Sequence, residues 1–194
     1  MFGINKIYCC DAIDFMKEIS DNSIDLIVTD PPYGIAYKDW DTENFLEFTE
    51  NWIRESFRIL KETGTLWSFM GWKNIFDFIL ILKKYGIVHL DNWVVWARQK
   101  GRGSSKHLKS QREDILHITK TCVYVWNPLK MLRQVVWPYR MDGQPRGWFV
   151  NEKGERVRWT GLGNVWVYTS PFWSFRDKQV HSAQKPLLLM ERLI

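Results

Sequence analysis

The stretch "SIDLIVTDPPYG", residues 23–34, decides how this chain reads. Its continuous apolar run predicts a buried strand, because a strand covered on both faces has no reason to alternate. Asp30 closes the run, and Pro31, Pro32 and Tyr33 follow at once. Both prolines fix φ and lack an N–H, so the strand stops there and their carbonyls are left to face a ligand. Asp30 then has two competing readings, a turn cap after a broken strand or one wall of a pocket.

The flanking segments supply the fold. "NFLEFTENWIRESFRIL" spaces Phe45, Phe48, Trp52, Ile53, Phe57 and Leu60 at helical intervals and predicts a helix ending in a turn at Gly64. "TLWSFM" reads as the next strand, "NIFDFILILKKYG" as a helix with Gly86 past its end, and "VHLDNWVVWA" as another strand. Upstream, "INKIYC" (Ile4 to Cys9) predicts a short strand, and Asp11 suits the N-cap of a helix over "AIDFMKEI". Strands alternating with amphipathic helices predict an α/β protein with a doubly wound sheet.

Past Ala97 the rhythm breaks. Arg98, Lys100, Arg102, Lys106, Lys109 and Arg112 crowd into fifteen residues without one acid, and the glycines and serines among them predict a mobile loop. "DILHITK" resumes as an antiparallel strand. Residues 126–175 read as irregular and Trp-rich, with a hairpin in "NEKGERVRW" around Lys153 and Gly154. "KPLLLMERLI" begins a helix with Pro186 in its first turn. The expected division is an α/β core over 1–97, a basic loop, returning strand and recognition region over 98–175, and a further segment over 176–194.

Composition narrows the function. The 194 residues have room for one domain with a proper core, and 45% hydrophobic with 25% charged residues is ordinary for a soluble protein. No apolar stretch approaches the roughly 18 residues that span a bilayer, and the first residues lack a signal-peptide pattern, so a cytoplasmic setting is expected. Cys9, Cys10 and Cys122 form neither a CxxC pair nor a Cys/His cluster, which argues against disulfides and a zinc site. No metal is expected. A net charge of +5, concentrated between Arg98 and Arg112, suits a polyanionic partner. Most of the twelve tryptophans, Trp52 and Trp67 included, are read as packing residues.

In an open α/β sheet, ligands gather at the carboxyl ends of the strands, where Asp30 stands. A carboxylate, a proline carbonyl and an aromatic face together suit one task, holding the exocyclic amine of a planar base. Two acceptors draw the amine's N–H groups and free the nitrogen lone pair for attack on an electrophilic methyl group. Methylation at cytosine carbon 5 is disfavoured, since it uses a cysteine that typically follows proline, and none here does.

Asp30-Pro31-Pro32-Tyr33 after "DLIVT" resembles the catalytic motif of amino-methylating DNA methyltransferases, which move a methyl group from S-adenosylmethionine to adenine N6 or cytosine N4. "INKIYCCDAIDFMKEISDNSIDLIVTDPPYG", "FTENWIRESFRILKETGTLW", "WARQKGRGSSKHLKSQREDILHITK" and "HSAQKPLLLMERLI" are similar to bacterial adenine methyltransferases of the permuted β class, found in restriction–modification systems. The resemblance implies a Rossmann-like methyltransferase sheet with a Trp-rich target-recognition insertion. It implies that Asp30, Pro31, Pro32 and Tyr33 hold a base flipped out of double-stranded DNA. Asp11 and Ala12 match the segment at the cofactor's adenine end, while His181 and Lys185 match a "HPxxKP" element on the cofactor side. Ser182 stands where that element has proline. The six basic residues would meet DNA phosphates.

An aspartate heading the motif points to adenine N6, with cytosine N4 as the alternative within the same chemistry. In permuted relatives a glycine-rich FxGxG cofactor loop follows the "KP" helix, and this chain ends before it. The sheet is therefore expected to be incomplete, with a second polypeptide or a further C-terminal segment supplying that loop. One half of a split enzyme, or an inactive DNA-binding fragment, is the rival expectation, and a homodimer is common among such relatives.

Overall fold

Asp11 starts the first helix as expected: its Oδ1 accepts hydrogen bonds from the amides of Ile13 (2.9 Å) and Asp14 (3.0 Å). The computed structural model describes residues 5–35, 41, 44–86, 89–102, 106, 108–134, 147–168 and 183–194, without the side chains of 99–102 and 132–134. The elements run α1 (Ala12–Lys17), β1 (Ile24–Thr29), α2 (Phe45–Ile59), β2 (Leu60–Met70), α3 (Ile75–Lys84), β3 (His89–Arg102) and β4 (Ser110–Thr119). There follow β5 (Lys130–Gln134), β6 (Phe149–Val150), β7 (Arg156–Gly161), β8 (Val165–Val167) and α4 (Leu187–Leu193). No helix among the described residues is long and apolar enough to cross a membrane.

Two compact units emerge, Met1–Val125 with Val165–Ile194, and Trp126–Asn164. The first holds a five-stranded mixed sheet in the order β1-β2-β4-β3-β8. β1 and β2 are parallel, β4 lies antiparallel to both β2 and β3, and β8 is parallel to β3. Side chains alternate across the sheet. Leu66, Met70, Leu116 and Ile118 pack with α2 and α3 through Trp52, Ile53, Phe78 and Leu82. On the other face Trp67 stacks on His117, with ring centres 4.2 Å apart, and lies against Trp166. Arg192 of α4 covers the Trp166 ring. Arg58 of α2 ties down the end of α1, donating to the carbonyls of Met16 (2.6 Å) and Ile19 (2.8 Å).

The second unit is a three-stranded antiparallel sheet, β5-β7-β6. The hairpin expected around Lys153 and Gly154 is its β6–β7 turn, where Gly154 takes a φ of +77°.

Five expectations change. Residues 5–9 form no strand, and Ile7 is fully exposed. Among the described residues β1 ends the sheet on that side, so no ladder is available to hold a strand there. For the same reason β1 itself is only partly buried, although its apolar run predicted two covered faces. Gly64 does not close α2: the helix passes straight into β2 at Leu60. Gly64 lies where the β1 pairing steps from Ile24–Leu60 to Leu26–Thr65, and a Cβ there would stand 2.8 Å from Leu60 Cγ. The basic stretch is strand as far as Arg102, which pairs with Ser110 after a register shift between Ala97 and Arg102, while residues 103–105 and 107 lie outside the described residues. Residues 126–175, read as irregular, contain the three-stranded sheet and β8.

Candidate active site around Asp30

Asp30 follows β1 directly, at the carboxyl end of a parallel strand. The chain then turns sharply, with Gly34 at φ +67°. A Cβ at Gly34 would meet the Phe45 side chain at 2.6 Å, so glycine is required by backbone and by space. The turn is fastened from two sides. Asp41, 4% exposed, accepts the amides of Gly34 (2.6 Å) and Ile35 (2.9 Å) with its two carboxylate oxygens. Asn74, at the head of α3, donates its Nδ2 to the carbonyls of Tyr33 (2.7 Å) and Gly34 (3.2 Å). The Tyr33 ring lies against the backbone of Gly71, where a Cβ would come within 3.1 Å of its Cδ2. Pro31 is buried.

Both oxygens of Asp30 are engaged. Tyr33 donates its hydroxyl to Oδ1 at 2.6 Å, and the Lys185 ammonium lies 2.8 Å from Oδ2. Lys185, 12% exposed, also lies 3.2 Å from Glu113 Oε2. Glu113 Oε1 in turn is 3.1 Å from the Arg98 guanidinium, which donates to the Ser110 carbonyl as well. The ammonium stands 5.0 Å from the centre of the Phe69 ring and 5.8 Å from that of Tyr33. Burial, reinforced by the Asp30 and Glu113 carboxylates, pushes the Tyr33 phenol well above its usual range, so it remains a donor at neutral pH. The resulting pocket holds a monocation between carboxylates and aromatic faces.

Of the residues expected to act, Asp30, Tyr33, Lys185 and Arg98 come together here. Pro31 and Pro32 carry the chain between Asp30 and Tyr33. Asp11 and Ala12 lie at the exposed start of α1, with Asp11 Oδ1 occupied by its capping bonds. His181 falls outside the described residues. Lys106, Lys109 and Arg112 are exposed, whereas Lys100 and Arg102 lie on β3 with side chains outside the description. Arg98 turns inward, its side chain 13% exposed.

Asp41, Asn74, Gly71 and Glu113 were not anticipated. Asn74 precedes an apolar-periodic run and carried a capping signal, yet its side chain serves the Asp30 loop and makes no cap hydrogen bond. Glu113 is the first acid after the basic stretch, and only the β3–β4 ladder reveals its pairing.

Residues 24–194 match a family model described as DNA methylase. The Type II methyltransferase M.HpaI of Haemophilus parainfluenzae is 31% identical over 196 residues, covering 97% of this chain. The chain spans 58% of that relative's length. DNA adenine methyltransferase YhdJ of Escherichia coli (strain K12) is 26% identical over 195 residues, covering 95% of this chain and 64% of its own. In fold, the chain is similar to the M1.HpyAVI–SAM complex, with a TM-score of 0.55 and 20% identity over 96% of this chain and 74% of that one. Since the family match runs from β1 through α4 and takes in the whole Asp30 pocket, the chain belongs to the DNA methylase family.

Proposed function

We propose that this chain forms the target-base side of an S-adenosylmethionine-dependent DNA methyltransferase acting on the N6 amine of adenine. The observation that carries the proposal is the Asp30 carboxylate, fixed after β1 with both oxygens held by donors that a ligand can replace, Tyr33 Oη and Lys185 Nζ. An incoming amine exchanges one N–H for one of those donors, and the Pro31 carbonyl is the candidate second acceptor. The Tyr33 ring offers a stacking face to a base that has left the duplex. Fixing the loop through Asp41 and Asn74 keeps these groups from reorganising during transfer.

When bound, the cofactor supplies an electrophilic methyl group on a positively charged sulfonium. Asp30 and the Phe69 and Tyr33 rings, which here seat the Lys185 ammonium, could face that charge once the ammonium has moved aside. Lys185 and His181 are the candidate cofactor-side residues, with Asp11 and Ala12 at the adenosyl end.

Lys106, Lys109 and Arg112, with Lys100 and Arg102, are the proposed phosphate contacts along the β3–β4 hairpin. The relatives' names favour a restriction–modification role and an adenine target, and cytosine N4 is the second reading within the same chemistry. The exposed Ile7 and Tyr8 and the partly open β1 favour a further segment, of this polypeptide or a second, beside that edge.

The test is direct. The protein, together with the further segment or second chain proposed beside β1, is incubated with unmethylated genomic DNA and methyl-labelled S-adenosylmethionine, and the DNA is digested to nucleosides. Label in N6-methyladenine, lost in Asp30→Ala while DNA affinity is retained, supports the proposal. Label in N4-methylcytosine favours the second reading. A folded protein that transfers no label with that segment present overturns both.

A further inference from the structure

Glu113 is the acidic side chain of the pocket that the transfer chemistry above leaves without work. It projects from β4 opposite Trp96 of β3. Its two oxygens divide their partners, Oε1 to Arg98 at 3.1 Å and Oε2 to Lys185 at 3.2 Å. Lys185 itself comes from the segment just before α4 and lies between two carboxylates, Glu113 and Asp30.

We propose that Glu113 is a positioning residue acting through Lys185: it holds the ammonium beside Asp30 and receives it when Asp30 turns to the target amine. The proposal rests on the reading of Asp30 as the amine-holding carboxylate. An ammonium has three donors and no preferred plane, so it passes between two adjacent carboxylates with little reorganisation. A lysine only 12% exposed has no comparable route into water, because leaving Asp30 alone would strand a largely buried cation. Arg98 keeps Glu113 from turning away, which explains why this arginine of the basic stretch points inward. Without Glu113, Lys185 stays on Asp30 and competes with the amine for its oxygen.

Four proteins test this: wild type, Glu113→Gln, Lys185→Met and the double variant, with Lys185→Gln in place of Lys185→Met if the latter does not fold. In methyl transfer to genomic DNA, Glu113→Gln is expected to lower kcat about tenfold while changing the KM for S-adenosylmethionine less than about twofold. In the Lys185→Met background the same substitution is expected to change kcat less than about twofold, because its target is gone. Equal losses in both backgrounds overturn the proposal. Urea unfolding of the same set reads the pairing without catalysis: the midpoint shift from Glu113→Gln should be larger with Lys185 present, and equal shifts also overturn it. Coupled unfolding in a folded wild type that, with the further segment beside β1 present, transfers no methyl group refutes the Asp30 reading, and the exchange step with it, while the ion pair stands.

Discussion

Asp41 reaches back over the Asp30 loop and accepts the amide of Gly34 at 2.6 Å while its second oxygen takes the amide of Ile35. One buried carboxylate thus satisfies two consecutive backbone donors that the turn removes from any ladder. The Asp30 loop is held by a carboxylate that the proposed transfer does not use.

Removing that acceptor gives the first prediction. Asp41→Ala leaves two partly buried N–H groups unpaired and should cost about 2–3 kcal/mol in urea unfolding. Asp41→Asn keeps one acceptor oxygen and should cost less. In both variants kcat for methyl transfer should fall further than DNA affinity, because the loop that loses its anchor carries Asp30 and Tyr33.

Gly34→Ala tests the same turn from the side of backbone strain. The φ of +67° disfavours any Cβ, and the added methyl would sit 2.6 Å from Phe45. Together these should cost about 2 kcal/mol or more, seen as a lowered unfolding midpoint. Adding Phe45→Gly removes the contacting Cβ and Cγ and leaves the φ penalty, so the double variant should be less destabilised than the sum of the single ones.

The parts of the site legible in the sequence are those built from neighbours along the chain. Asp30 and Tyr33 stand three residues apart, and an apolar run followed by two prolines marks where a strand must end. Glu113 and Asp41 are different, since each acts on a group defined by folding: an ammonium 72 positions away, and amides exposed only after Gly34 turns. The same limit explains the errors in the fold. An apolar run records that β1 has surface to bury and says nothing of which neighbour covers it, so it predicts two covered faces for a strand that ends the sheet among the described residues. Glycines and serines between Arg98 and Arg112 read as a loop, yet the cross-strand pairing of β3 with β4 overrides that composition as far as Arg102.

His117 supplies a pH-dependent prediction. It is buried under Trp67, and burial lowers its pKa below 6.5, opposed in part by the Asp91 carboxylate. Below 6.5 the unfolded chain takes up a proton that the folded chain resists, so stability is present above that pH and lost as the pH falls. Urea unfolding between pH 7 and pH 5 should show a steeper acid loss in wild type than in His117→Phe, which keeps a ring against Trp67. Parallel pH profiles would remove His117 as the cause.

The basic hairpin gives a prediction in which two neighbouring cations part company. Lys109 is exposed, whereas the Arg98 guanidinium is 13% exposed and paired with Glu113. Each phosphate neutralised adds about 0.9 to the slope of log affinity against log salt. Lys109→Ala should therefore weaken DNA binding across sequences and flatten that slope by about one. Arg98→Ala removes a charge already balanced inside the pocket, so the slope should stay the same while methyl transfer falls. DNA binding measured over a salt series separates the two. If Arg98→Ala flattens the slope as Lys109→Ala does, its guanidinium reaches phosphate in the complex, and Glu113 must release it when DNA binds.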